Sequence, residues 1–132
     1  MSQSLTLAVA SAIAISGSAM AGIFGGGNVV VERVGDGTTT LSSAATAVSV
    51  IEMSKAGVTQ QTLSLPTSGG SQVTDSGSAT SNGYLNVYNG LLAVSGYNAA
   101  SGTASVASTN NKVGTVIGSD GNVSTEIGRA HV

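Results

Sequence analysis

The chain has 132 residues, of which 8% are charged and 3% aromatic, with 19 glycines, no cysteine and a net charge of −2. Without cysteine there can be no disulfide and no thiolate metal site, and the weak negative charge offers no basic patch for nucleic acid. Disordered chains combine low hydrophobicity with high net charge. This chain has neither property, so we expect one modest folded domain of small side chains and many turns.

The N-terminal segment predicts export from the cell. Leu5–Gly17 is an apolar run too short to span a bilayer, and Ala19-Met20-Ala21 is a small-x-small cleavage site. We therefore predict a helical signal peptide over residues 1–21 and a flexible, glycine-rich lead-in over residues 22–27. The mature chain is then expected to be secreted or held at the cell surface, with the periplasm as the alternative, and to have no membrane span.

Residues 28–125 predict an antiparallel all-β fold, with helix only in the signal peptide. Valine-rich or alternating runs favour strands, and glycine-containing turns separate them. The expected strands and extended pieces are Asn28–Val34, Thr38–Ser43, Ala44–Met53, Val58–Leu65, a weak edge strand near Ser76–Thr80, Tyr84–Tyr88, Leu91–Ser95, Thr103–Ala107, Lys112–Ile117 and Val123–Thr125. This pattern is compatible with a sandwich, a barrel, a propeller or a solenoid.

The strongest local signal is the dipeptide Asn89-Gly90 between two of these strands. A two-residue hairpin turn needs positive φ at both central residues, and asparagine and glycine adopt it at the lowest cost. Lys55-Ala56-Gly57 and Ser119–Asn122 predict two further turns. Lys112–Thr125 is expected to add two strands to the Asn89-Gly90 hairpin.

The C-terminal residues 126–132 have a different expected origin. Ile127–Val132, IGRAHV, looks like the translation of a common sequencing adapter, with Glu126 at the expected junction. We therefore expect the natural protein to continue past Thr125. His131, the single histidine, lies in this segment. The remaining chain then has no imidazole base, which argues against a serine or cysteine hydrolase triad.

The segments VVVERVGDGTTTLSSAATAV, SGSATSNGYLNVYNGLLAVSGYNAASG and NKVGTVIGSDGNVST resemble a group of uncharacterised exported bacterial proteins. The most specific pieces are Arg33–Gly37 and Gly96–Asn98. Some proteins of this group carry a C-terminal sorting signal. The resemblance implies that residues 28–125 are about two four-stranded blades of a larger β-propeller, with a β-sandwich as the alternative. It implies no activity.

Few residues are candidates for a site. Asp36 is a weak candidate calcium ligand, but a calcium loop needs several regularly spaced oxygens, so a structural turn is favoured. Two of the acidic residues Glu32, Asp36, Glu52, Asp75 and Asp120 could converge as a glycosidase-like pair, although nothing in their spacing requires it.

The tyrosines Tyr84, Tyr88 and Tyr97 are weak candidates for a carbohydrate-stacking surface. Packing over a core of small residues is the favoured alternative for them. We predict no catalytic residue and no cofactor, and a binding or structural role outside the cell toward a cell-surface glycan or protein. The alternatives are a hydrolase or lyase whose active site needs further blades, and a surface adhesin module.

Overall fold

The computed structural model describes residues 24–109 and 111–127, and their fold is all-β, as predicted. The elements are β1 (Val29–Val34), β2 (Ala45–Met53), β3 (Thr59–Ser64), β4 (Thr74–Ser76), β5 (Leu85–Tyr88), β6 (Leu91–Tyr97), α1 (Val106–Thr109), β7 (Lys112–Ile117) and β8 (Val123–Ile127). The eight strands form one open antiparallel sheet. Its order is β1-β2-β4-β6-β7-β8, with β3 also paired to β2 and β5 also paired to β6.

The first three strands form a meander around β2. Val31 of β1 lies opposite Ile51, which in turn lies opposite Thr62 of β3. The turn between β2 and β3 is closed by a hydrogen bond of 2.8 Å from the Ser54 amide to the Val58 carbonyl, and Gly57 takes a φ of 80°. The predicted strands and the Lys55-Ala56-Gly57 turn are therefore confirmed.

The last four strands form a second meander, β5-β6-β7-β8. Asn89 and Gly90 have φ values of 49° and 75°, so the predicted two-residue hairpin turn is confirmed. The turn between β7 and β8 is closed by a hydrogen bond of 2.9 Å from the Gly118 amide to the Asn122 carbonyl. As expected, Lys112–Ile117 and the strand that follows it add to the hairpin.

β4 joins the two meanders. On one side Asp75 pairs with Thr46 of β2, and on the other Thr74 pairs with Tyr97 of β6. Gly96 allows the close approach of β6, because a Cβ there would lie 2.8 Å from the Thr74 carbonyl oxygen. The prediction of a weak edge strand near Ser76–Thr80 is wrong, since β4 lies earlier in the chain and in the middle of the sheet.

Two other predicted extended pieces are not strands. Thr38–Ser43 forms bends and irregular structure, because Asp36 holds the chain in a turn there. Thr103–Ala107 leads into the one-turn helix α1, whose first residue Val106 is buried. The expectation that helix is confined to the signal peptide is therefore wrong, because α1 forms one short helical turn.

One face of the sheet is buried in a hydrophobic core. The fully or nearly fully buried side chains of this core are Val48, Val50, Leu65, Val73, Leu92, Val94, Val113 and Ile117. The sheet curls on itself, since Val30 of β1 and Ile117 of β7 line the same small cavity of about 150 Å³. A smaller cluster packs Tyr97 with Ala45, Ala99 and Val106.

The described part of the predicted lead-in is held against the sheet. Phe24 packs against the core, and the Gly25 amide donates a hydrogen bond of 2.5 Å to Glu52. The predicted signal peptide over residues 1–21 and residues 128–132 of the predicted tail lie outside the described residues. In residues 24–109 and 111–127, no helix has the length and apolar character needed to cross a bilayer.

Candidate functional site

A shallow groove crosses the outer face of the second meander. Its lining comes from three adjacent strands, and its volume is about 410 Å³. The lining residues are Asn86, Tyr88, Leu91, Ala93 and Val116. None of them carries a charge, so the groove presents an aromatic ring, an amide and aliphatic groups to solvent.

The Asn89-Gly90 turn determines which residues line this groove. It places Tyr88 opposite Leu91 and Asn86 opposite Ala93. Side chains alternate between the two faces of a strand, so Leu92 and Val94 of β6 point into the core while Leu91 and Ala93 point outward. A shift of one residue in this register would exchange the two sets.

The three candidate tyrosines lie in different environments. Tyr84 and Tyr88 are 75% and 74% exposed, whereas Tyr97 is 5% exposed and packs against Ala45 and Ala99. Only Tyr88 lines the groove. The prediction that these tyrosines cover the core is therefore confirmed for Tyr97 and wrong for the other two.

Asp36 lies in a tight turn beside a second groove. One of its carboxylate oxygens accepts 2.8 Å hydrogen bonds from the amides of Thr38 and Thr39, and the other accepts one of 2.9 Å from the Thr39 hydroxyl. These bonds, led by the one from the Thr39 amide, hold the pKa of Asp36 well below its usual range. Both oxygens serve the turn, which is the structural role that the sequence favours.

Asp120 has the same kind of role in the turn between β7 and β8. The Asn122 amide donates a 3.0 Å hydrogen bond to it, and this bond is the main reason that the pKa of Asp120 is lowered. Among the described residues, no group of three or more histidine, aspartate or glutamate side chains is placed to hold a metal ion.

Two acidic residues from different strands, Glu32 of β1 and Asp75 of β4, are near enough for the charge of Asp75 to raise the pKa of Glu32. Both Glu32 oxygens and one Asp75 oxygen are buried without a hydrogen-bond partner. A substrate cannot reach these atoms in this conformation, so they do not form an accessible glycosidase-like pair. The sequence suggests a convergence among five acidic residues but does not identify this pair.

A scan against protein-family models found no match, and searches of curated proteins and of solved structures found no significant match either.

Proposed function

We propose that this protein is an exported binding or structural protein and that the groove around Tyr88 binds an uncharged polysaccharide outside the cell. The observation that carries the proposal is the exposure of Tyr88 in an uncharged groove that is lined by residues of three strands. The export signal predicted over residues 1–21 supports a ligand on the cell surface or in the surroundings.

The chemistry of the groove suits a sugar ring. The face of a tyrosine ring packs against the C–H groups of a sugar while its hydroxyl remains available for hydrogen bonding. The Asn86 amide can donate to one sugar hydroxyl and accept from another. The lack of charged lining residues favours a neutral ligand over an acidic or basic one.

The architecture proposed for the whole protein is a β-propeller. The four-stranded antiparallel meander β5-β6-β7-β8 supports it, because a propeller blade has four such strands. The alternative, a β-sandwich, is supported by the curling of the sheet around its core. In a propeller, the hairpin of β5 and β6 with its terminal Gly96-Tyr97 dipeptide would recur in other blades encoded by the full-length gene.

The test is affinity electrophoresis through gels that contain neutral polysaccharides such as cellulose derivatives, xylan, starch and soluble chitin fragments. We expect one of them to retard the protein. Tyr88→Ala should weaken this binding by roughly 2- to 12-fold, the effect of losing one ring contact. Tyr88→Phe should largely retain it.

Tyr84→Ala is the matched control, because Tyr84 is equally exposed but does not line the groove. It should bind like the unmodified protein. The proposal fails if no neutral polysaccharide retards the protein, or if Tyr84→Ala weakens binding as much as Tyr88→Ala.

A further inference from the structure

Glu32 is an acidic residue on the core face of the sheet. It lies opposite Val50, which is fully buried, and its neighbours on this face of β1 are Val30 and Val34. Both valines pack against the hydrophobic core. These three valines offer the Glu32 carboxyl group no hydrogen-bond donor, and neither of its oxygens has a hydrogen-bond partner.

Asp75 is on the same side of the sheet. It lies opposite Thr46 of β2, and Thr46 and Val50 are four positions apart on that strand, so their side chains share a face. One Asp75 oxygen accepts hydrogen bonds of 2.6 Å from the Ser76 amide and 2.5 Å from the Asn82 side chain. Both donors bind this one oxygen, while the other Asp75 oxygen is buried without a partner.

An ionised Glu32 would be costly in this position. Neither of its oxygens has a hydrogen-bond partner, and both are buried. Burial, and to a smaller extent the negative charge of Asp75, raise the pKa of Glu32 to about 7. A buried carboxyl group without donors is normally neutral for this reason.

In the described part of the chain, no cationic side chain lies on this face to stabilise an ionised Glu32. On β2 the nearest charged group of this face is Glu52, which is also acidic and lies opposite Val30. On β4 the facing group is Asp75, and the core-facing residues of β6 and β7 are uncharged. Arg33 is exposed on the other side of β1, and Lys55 and Lys112 are exposed as well.

We propose that Glu32 is a neutral carboxylic acid in the folded protein and that loss of its proton loosens β1 from the sheet. The fold would then respond to pH across the neutral range. β1 is the element that yields, because it is an end strand that pairs only with β2. Its release lets an ionised Glu32 reach water without opening the core between β2 and β7.

The direction of the effect follows from the two states. The pKa of Glu32 is higher in the folded protein than the ordinary value of 4.5. Between about pH 4.5 and about pH 7 the folded state binds more protons than the unfolded state, so the free energy of unfolding falls as the pH rises. The contribution of Glu32 is fully present below about 4.5 and is lost as the pH passes about 7.

The test is the pH dependence of unfolding by urea in the unmodified protein and in Glu32→Gln. From about pH 5 to about pH 8, the unfolding equilibrium constant of the unmodified protein should rise about tenfold or more, the effect of one pKa unit. Glu32→Gln, which keeps the shape but cannot ionise, should show a much flatter profile. Glu126→Gln changes an exposed glutamate of β8 and should keep the profile of the unmodified protein.

A carboxyl-selective NMR titration of the unmodified protein makes the test independent of how well Glu32→Gln folds. The Glu32 signal should titrate near pH 7, and a midpoint near its ordinary value would overturn the proposal. It would also be overturned if Glu32→Gln kept the full pH dependence. Saturable recovery of stability at alkaline pH by calcium or magnesium, dependent on Glu32, would show a cation site instead.

Discussion

The buried carboxylate of Glu52 accepts three hydrogen bonds. Oε1 accepts hydrogen bonds of 2.5 Å from the Gly25 amide and 2.6 Å from the Asn28 side chain, and Oε2 accepts one of 2.7 Å from Gln61. The bond from Asn28 is the main reason that the pKa of Glu52 is lowered. One side chain of β2 thereby fixes the chain before β1 and the strand β3 on either side.

We expect Glu52→Gln to lower the melting temperature and to flatten the acid side of the stability profile. Because the pKa of Glu52 is lowered in the folded protein, its ionised carboxylate stabilises the fold at pH values above its ordinary pKa of 4.5. This contribution is lost as the pH falls. Thermal melts between about pH 3 and about pH 6 measure the effect. Some acid dependence should remain, because Asp36 and Asp120 also have lowered pKa values. An unchanged melting temperature would contradict the role assigned to Glu52.

The face of β1 on which Glu32 lies could not be predicted from its sequence. Val29, Val30 and Val31 are consecutive, so both faces of the strand receive valines and the alternation gives no sign of which is buried. The register with β2 settles it by pairing Glu32 with Val50. For the same reason, the sequence indicates that two acidic residues could lie close together but does not indicate which two.

The hairpin of β5 and β6 depends on its turn more than on its strands. β5 has four residues, of which Val87 and Tyr88 are largely exposed, so it buries little apolar surface. The positive φ values at Asn89 and Gly90 fix the register of the groove residues. Turn chemistry of this kind is local, which is why the sequence predicted it correctly.

We expect Gly90→Ala to lower the free energy of unfolding by about 1–2 kcal/mol, the cost of a side chain in a left-handed conformation. Gly114→Ala is the matched control, because Gly114 lies in β7, has no positive φ, and leaves space for a Cβ. It should be neutral or slightly stabilising, since glycine weakens a strand. Chemical denaturation of both variants measures the difference, and equal losses would contradict the importance of the turn.

β4 shows what local sequence cannot predict. Thr74, Asp75 and Ser76 are polar, and such a run ordinarily indicates a surface loop. All three are buried, and their strand pairs with β2 and β6, while the Thr74 hydroxyl donates a 2.9 Å hydrogen bond to the distant Ala99 carbonyl. These partners exist only after the sheet has assembled.

At the scale of the whole molecule, the sheet has unpaired strand edges. In the described residues, β1, β3, β5 and β8 each pair along one side only. Exposed edges are templates for pairing with another chain unless charge or proline protects them. Val29 of β1 and Val87 of β5 are exposed and uncharged, so we expect self-association that increases with concentration.

Val87→Lys should weaken this self-association by roughly tenfold or more, because an edge-to-edge contact would bring like charges together. Val58→Lys is the matched control, since Val58 is similarly exposed but lies in the turn before β3. Sedimentation velocity over a series of concentrations measures both variants. The prediction would be contradicted if the unmodified protein stayed monomeric at all concentrations. It would also be contradicted if the two substitutions had equal effects on self-association.

The position of β4 also has a consequence for the order in which the chain folds. Each meander contains contacts between strands that are close in sequence, so each closes only short loops and can form rapidly. Joining them requires a three-residue strand with few hydrogen bonds of its own and no exposed apolar surface. We therefore expect the two meanders to form early and independently, and the rate of folding to be set by the step in which β4 is enclosed between them.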